Sequence, residues 1–301
     1  MYNPLVELYK RMDLKTYKAF DSIMGHISIG LFTTQLINRE SINLFLIPYT
    51  IATIISAYNT IEKASNNTKD IQEIKNIYND IIKNYNNLNK ELDVIEPLQV
   101  ATMFHYTLHC GYLSIDKNFK YNLNSNQTIN NPHLLGSSII TGNGVCRHIN
   151  SMLNDIYNDL GIESYLLIVE VNESSLLTLK KIIGNHAITI AKYDDKIYPV
   201  DATSRNELGL YALSKKNNFV SLLDENCYLT PKIAGNFCFH NLKELLGIQK
   251  MFYLEDFNLL KSYPNMFKTL IKIEENRDML EHFHSENKEK FEEVVYKVKK
   301  L

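Results

Sequence analysis

Between residues 136 and 204 the spacing of apolar residues changes period, and no other feature of the chain restricts the fold as strongly. The segment GSSIITGNGVC (136–146) is punctuated by glycine and reads as a loop. Ile149, Met152, Leu153, Ile156, Tyr157 and Leu160 then recur at helical spacing, and Gly161 is placed to end that helix. Beyond it lie three apolar, β-branched runs, 165–171, 186–193 and 197–200, which read as strands. Asp194-Asp195 separates the last two and suits a tight hairpin. With a two-residue loop, Tyr193 pairs with Lys196 and His186 comes opposite Thr203. Asp201 then shares a sheet face with His186, as a diagonal neighbour about 7–8 Å away. A helix followed by antiparallel strands predicts an α+β fold.

The rest of the chain divides around this segment. Residues 1–115 read as a helical accessory region, 116–273 as the core, and 274–301 as a C-terminal amphipathic helix. In the first part, Ile71, Ile74, Tyr78, Ile81, Tyr85, Leu88, Leu92 and Ile95 form a narrow apolar stripe at heptad spacing. That stripe suits packing within its own domain, or a helix-mediated partner bound through residues 68–95. Pro97 can occupy the first position of the next helix, and Gly111 can end it. Residues 116–132 form a polar, Asn-rich connection. In the last part, Leu280, Phe283, Phe291, Val294, Val295 and Val298 fall on one side of a charged helix.

Charge and composition exclude several classes. The formal net charge of −2 leaves no basic excess to displace phosphate counterions, so no nucleic-acid partner is expected. Cysteines 110, 146, 227 and 238 form no close metal-type pair and are too sparse for a disulfide framework. No P-loop or dinucleotide-binding motif occurs, and neither a cofactor nor a metal is expected. The first 25 residues carry charges throughout and lack an apolar signal core, which sets a cytoplasmic location as the expectation. Residues 41–61 contain no charge and have the length of a membrane span, but they are interrupted by Ser41, Asn43, Pro48, Thr50 and Asn59. A buried helix is the expectation there, with membrane attachment left open.

Three residues carry the chemistry. Cys146 begins the predicted helix, where the positive end of the dipole and unpaired N–H groups favour thiolate. The same N–H groups suit an oxyanion. Taken alone, a cysteine here is equally a small buried apolar residue. His186 opens a strand in Gly184-Asn185-His186-Ala187, and a neutral imidazole can accept the thiol proton. Asp201, in Val200-Asp201-Ala202-Thr203, can fix the tautomer of that imidazole. Gln127, Asn131 and Asn143 are candidates for an oxyanion-hole side chain. Arg147 can bind a carboxylate or remain a surface charge, and His148 is a weak rival base. His105 and His109 share a helix face without a third ligand, and His282 and His284 carry no metal signature.

G-V-C at a helix start, N-H-A opening a strand and V-D-A-T ending the next resemble the transglutaminase-like superfamily, relatives of the papain-like cysteine proteases. The resemblance covers roughly residues 136–204. It implies a papain/transglutaminase-like core, with the Cys-bearing helix packed on an antiparallel sheet and a helical N-terminal region alongside. It also implies a cysteine hydrolase or acyltransferase with Cys146 as nucleophile, His186 as general base and acid, and Asp201 as orienting carboxylate. Protein or peptide amides are the implied substrates, and peptidase, deamidase and transamidase outcomes all remain open. Ala187-Ile188 and Ala202 depart from the family's usual aromatic after the His and Pro after the Asp. The alternative is a catalytically inert interaction protein that keeps the fold.

Overall fold

The computed structural model describes residues 68–122, 134–174, 181–194, 196–213, 218–222, 227–231 and 263–300. The first 25 residues, the stretch 41–61, Gln127, Asn131 and Cys238 lie outside the described residues. The chain divides into two compact units, Met1–Glu73 and Ile74–Leu301. Among the described residues, no helix is long and apolar enough to cross a membrane.

Helix α1 (Thr68–Glu91) carries the heptad stripe. Ile71, Ile74, Tyr78, Ile81, Tyr85, Leu88 and Leu92 are all buried, and only Ile95, past the helix end, is exposed. Helix α2 (Pro97–His109) starts with its proline at the first position, where the missing N–H costs nothing. It ends at Gly111, whose φ of +80° allows Tyr112 N–H to reach back to Thr107 O at 2.9 Å. A side chain at Gly111 would also drive into the Lys117 backbone, 2.4 Å from the Cβ position. Tyr85 and Thr107 share a buried hydrogen bond of 2.9 Å that joins the two helices.

Helix α4 (Tyr263–Glu275) ends just inside the segment 274–301, and the single helix expected there is two, α5 (Arg277–Glu286) and α6 (Lys288–Lys300). Breaks fall at Asn276 and Asn287, whose side-chain amides donate to the carbonyls of Lys272 and Phe283 at 2.9 Å each. An asparagine that bonds the backbone one turn back competes with helix propagation, which accounts for both interruptions. The apolar side survives the breaks, with Leu280, Phe283, Phe291, Val294 and Val298 buried.

A short 3₁₀ turn (Gly136–Thr141) and strand β2 (Asn143–Gly144) lead into helix α3 (Cys146–Asp159). β2 pairs in parallel with β1 (Lys120–Tyr121). The remaining strands are β3 (Glu163–Ser174), β4 (Lys181–Tyr193), β5 (Lys196–Asp201), β6 (Gly209–Leu213), β7 (Phe219–Ser221) and β8 (Cys227–Pro231). They pair antiparallel in that order, and β8 returns to β3, with Val169 opposite Pro231 and Val171 opposite Leu229.

This closure corrects the expected architecture. A papain/transglutaminase-like core, with a helix on an antiparallel sheet, was anticipated from the resemblance. The sheet is instead a closed six-stranded antiparallel barrel in a mixed α/β chain. Closure satisfies the strand edges that an open sheet would leave unpaired. Its interior is filled by Val169, Ile188, Ile190, Ile197, Tyr211, Phe219 and Leu229. Helix α3 lies on the outside, against β3 and β4. On β4 the outward positions there are Ala187, Thr189 and Ala191, all buried and all small, so the helix approaches the strand backbone closely. The Cys146 end of α3 thereby comes to rest beside the barrel rim.

Candidate active site

Cys146 is the first residue of α3, after an extended Val145 with φ −127° and ψ 178°. The first N–H groups of a helix have no acceptor inside it, so they face whatever lies beyond the terminus. Burial of the apolar face of α3, through Ile149, Met152, Leu153, Ile156 and Tyr157, fixes that terminus in place.

The β4–β5 hairpin has the register its loop length implies. Tyr193 faces Lys196 and Thr189 faces Val200, around a turn in which Asp194 takes φ +49°. Parity therefore puts His186 and Asp201 on one face, and their side chains meet. His186 Nε2–H donates to Asp201 Oδ2 at 2.6 Å. With Nε2 committed to Asp201, Nδ1 is the ring nitrogen left to serve a thiol, and His186 acts on the ionisation of Cys146. The structure thus brings Cys146, His186 and Asp201 together.

The electrostatics follow from these bonds. Burial works to raise the Cys146 pKa, but the hydrogen bond and charge of His186, with the Ala187 N–H, outweigh it and hold the thiol below its usual value. Burial likewise opposes charge on His186, yet the bonds to Asp201 and Cys146 and the charges of both raise its pKa to about 10. For Asp201, burial is overcome by the bond and charge of His186, helped by Thr203 and Asn150, and its pKa falls below the carboxylate norm. All three shifts act in one direction, favouring a thiolate and an imidazolium beside a carboxylate.

Sequence reasoning missed the support beneath that carboxylate. Asn150, one turn along α3 from Cys146, is fully buried. Its amide nitrogen lies 2.9 Å from Asp201 Oδ1, 2.8 Å from Ala187 O, 3.1 Å from Cys146 O and 3.1 Å from Thr203 Oγ1, so its two hydrogens are shared among these acceptors. Thr189 Oγ1 donates in turn to Asn150 O at 2.7 Å. Thr203 adds its own N–H to Asp201 Oδ1 at 3.0 Å, and its hydroxyl donates to the same oxygen. One buried amide therefore ties together the helix of Cys146, the strand of His186 and the Asp201 carboxylate. The available signal was a polar residue adjoining the apolar positions Ile149 and Leu153 of an amphipathic helix.

His105 and His109 hold the next stretch of chain. Their Nε2 atoms meet Ser204 O at 2.7 Å and Ala202 O at 3.0 Å, and their rings lie 4.6 Å apart. Burial lowers both pKa values, that of His109 to about 4, so at neutral pH each is an uncharged N–H donor to a carbonyl. They anchor the segment directly after Asp201. Gly209, opposite Asp201 on β6, keeps that side open, since a Cβ there would sit 3.1 Å from Asp201 Cβ.

The other candidates fall elsewhere. His148 is buried, and its Nδ1 accepts from Val145 N–H at 3.0 Å, which makes it part of the helix start. Asn143 lies on β2 opposite Lys120. His282 pairs with Glu286 at 3.0 Å and His284 reaches Ser114 O at 2.9 Å. Among the described residues, no group of three or more His, Cys, Asp and Glu is placed to hold a metal ion.

Compared with known proteins, the chain matches no family model and no curated protein.

Proposed function

We propose that this protein is a cysteine-dependent acyl-transfer enzyme that acts on amide or peptide carbonyls through a thioacyl intermediate. One observation carries the reading: His186 Nε2–H donates to Asp201 Oδ2 at 2.6 Å, with the acid's far oxygen held by Asn150 and Thr203, and this histidine lowers the pKa of the Cys146 thiol at the start of α3. Structural cysteines rarely sit in such a charge-shifting environment, whereas nucleophilic ones require it. The motifs G-V-C, N-H-A and V-D-A-T, which resemble transglutaminase-like enzymes, support the same chemistry at the level of residues.

The Cys146 thiolate attacks the carbonyl carbon, and the carbonyl π pair moves onto oxygen. As the tetrahedral intermediate collapses, the C–N bond breaks and His186 gives its proton to the departing nitrogen. His186 then removes a proton from water or an incoming amine, which attacks the thioester and releases Cys146. Water yields hydrolysis or deamidation, and an amine yields transamidation.

The test is a mass-spectrometric screen of the full chain against glutamine- and asparagine-containing peptides, with and without a primary-amine probe. Wild type is expected to cleave, deamidate or aminate peptides and to carry an acyl adduct on Cys146, while Cys146→Ala does none of these. Equal products from both proteins, or no product and no adduct with wild type, overturn the proposal.

A further inference from the structure

We propose that His109, on α2, is a positioning residue for Asp201: by holding the Ala202 carbonyl it fixes the peptide group whose N–H donates to that carboxylate, and so keeps the carboxylate turned toward His186. This rests on the acyl-transfer reading above and gives a helix outside the barrel a part in the chemistry.

The Ala202 carbonyl and the Thr203 N–H are two ends of one peptide group, planar and trans, so they point in opposite directions. His109 Nε2 lies 3.0 Å from the carbonyl oxygen, and Thr203 N–H donates to Asp201 Oδ1 at 3.0 Å. A carbonyl oxygen only accepts, so Nε2 carries the hydrogen. At the other carboxylate oxygen, Oδ2, His186 Nε2–H donates at 2.6 Å. Three hydrogen bonds therefore run in sequence from His109, through one rigid peptide plane and the Asp201 carboxylate, to His186. The preceding peptide is held as well, with Ala202 N–H 3.4 Å from Asn150 Oδ1. His109 is kept in place by two rings, His105 at 4.6 Å and Phe119 at 6.1 Å between centroids, both edge-on.

Without the bond to Ala202, that peptide is free to turn about its flanking φ and ψ, and its N–H swings with its carbonyl because the plane is rigid. Asp201 Oδ1 then loses an aligned donor. The carboxylate can rotate about χ2, whose energy well is broad for aspartate, and rotation misaligns the bond to His186. An imidazolium less well held by its carboxylate supports the thiolate less. His105 supplies the comparison, one turn back on the same helix face. Its Nε2 lies 2.7 Å from Ser204 O, an equally good bond, but that carbonyl belongs to the 204–205 peptide group, beyond the one that donates to Asp201. Burial above all keeps His109 uncharged at neutral pH, against the pull of the Ala202 carbonyl and Asp201, with His105 and Arg205 the other titratable groups facing it. Replacing His109 therefore removes a donor and not a charge.

Three full-length variants separate this role from a structural one. His109→Phe removes the donor and keeps a ring, His109→Gln keeps an amide donor near the place of Nε2, and His105→Phe removes the comparison bond. Iodoacetamide alkylation of Cys146 is followed against pH, with thermal melts alongside. The alkylation curve of His109→Phe is expected to rise about 0.5–1 pH unit later than that of wild type, a roughly 3- to 10-fold slower reaction at pH 6. His109→Gln is expected to restore the wild-type curve. His105→Phe is expected to melt as low as His109→Phe while its curve moves less. If His109→Phe does not fold, His109→Met, apolar and more adaptable, takes its place. A His109→Phe curve that overlies wild type overturns the proposal, as does a His109→Gln curve that stays with His109→Phe. Equal displacement in His109→Phe and His105→Phe also overturns it, since that would mean a general loosening of the fold. A wild-type Cys146 that alkylates only as an ordinary thiol removes the acyl-transfer reading and this proposal with it. Early wild-type alkylation with an undisplaced His109→Phe curve removes the role of His109 alone.

Discussion

Asp201→Asn is expected to lower thiol acylation by about 10²–10⁴-fold while leaving the fold standing. The reason lies in the donors around the acid. His186 Nε2–H approaches Oδ2, whereas Asn150 Nδ2, the Thr203 N–H and the Thr203 hydroxyl all converge on Oδ1. An amide has one accepting oxygen, and it goes where the three donors converge. Its NH₂ then faces His186, which must present a lone pair at Nε2 and carry its proton on Nδ1. That tautomer points a hydrogen at the thiol and cannot take one. Alkylation of Cys146 at pH 6 should drop about 10- to 100-fold, because an unpaired thiol is mostly protonated there. Stopped-flow acylation and alkylation rates check both statements. Acylation within a few-fold of wild type would show that the carboxylate does not set the tautomer.

The largest effect on stability is expected at Asn150. Asn150→Leu removes the donor to a buried carboxylate and to the buried Ala187 carbonyl and leaves both short of partners. Leaving such groups unsatisfied costs about 2–4 kcal/mol, which for a chain of this size lowers the melting temperature by roughly 5–15 °C. Burial of the leucine side chain offsets part of this, but it cannot hydrogen-bond an ionised oxygen. Asn150→Ser, which keeps a hydroxyl, should lose less. Thermal melts monitored by circular dichroism decide the matter. A leucine variant as stable as wild type would mean that the network contributes nothing to folding.

How far the sequence reached differs from element to element. The β4–β5 register was legible because side chains alternate strictly along a strand, and Asp194-Asp195 fixed the loop length. From that parity alone the His186–Asp201 contact could be foreseen, and it exists at 2.6 Å. The position of Cys146 at a helix start was legible from the glycines before it and the apolar spacing after it. Barrel closure was not. It depends on β6, β7 and β8, which have five, three and five residues. Such runs are too short to show a period, and the decisive pairing joins Val169 to Pro231, far apart in the chain. The C-terminal breaks were hidden because Asn276 and Asn287 sit in a pattern that continues on both sides. Asn150 was missed for a compositional reason: Asn is frequent throughout, so it did not stand out until the fold placed it beneath the Asp201 carboxylate.

The central claim is that Cys146 rests as a thiolate paired with the His186 imidazolium. Such a pair forms as pH rises through the lowered thiol pKa. Because the folded His186 pKa is raised, its stabilisation is full below about 6.5 and is lost as pH rises through about 10. Acyl transfer should therefore decline through that upper range. The most direct measurement is the iodoacetamide alkylation rate of Cys146 in the full chain against pH, with adducts located by mass spectrometry. Cys110 serves as an internal reference, since burial raises its thiol pKa. The account predicts that at pH 6 Cys146 reacts about 10- to 100-fold faster than Cys110 and has already reached its plateau below the ordinary thiol range near 8.5. A Cys146 that titrates in step with Cys110, or does not react at all, would contradict it.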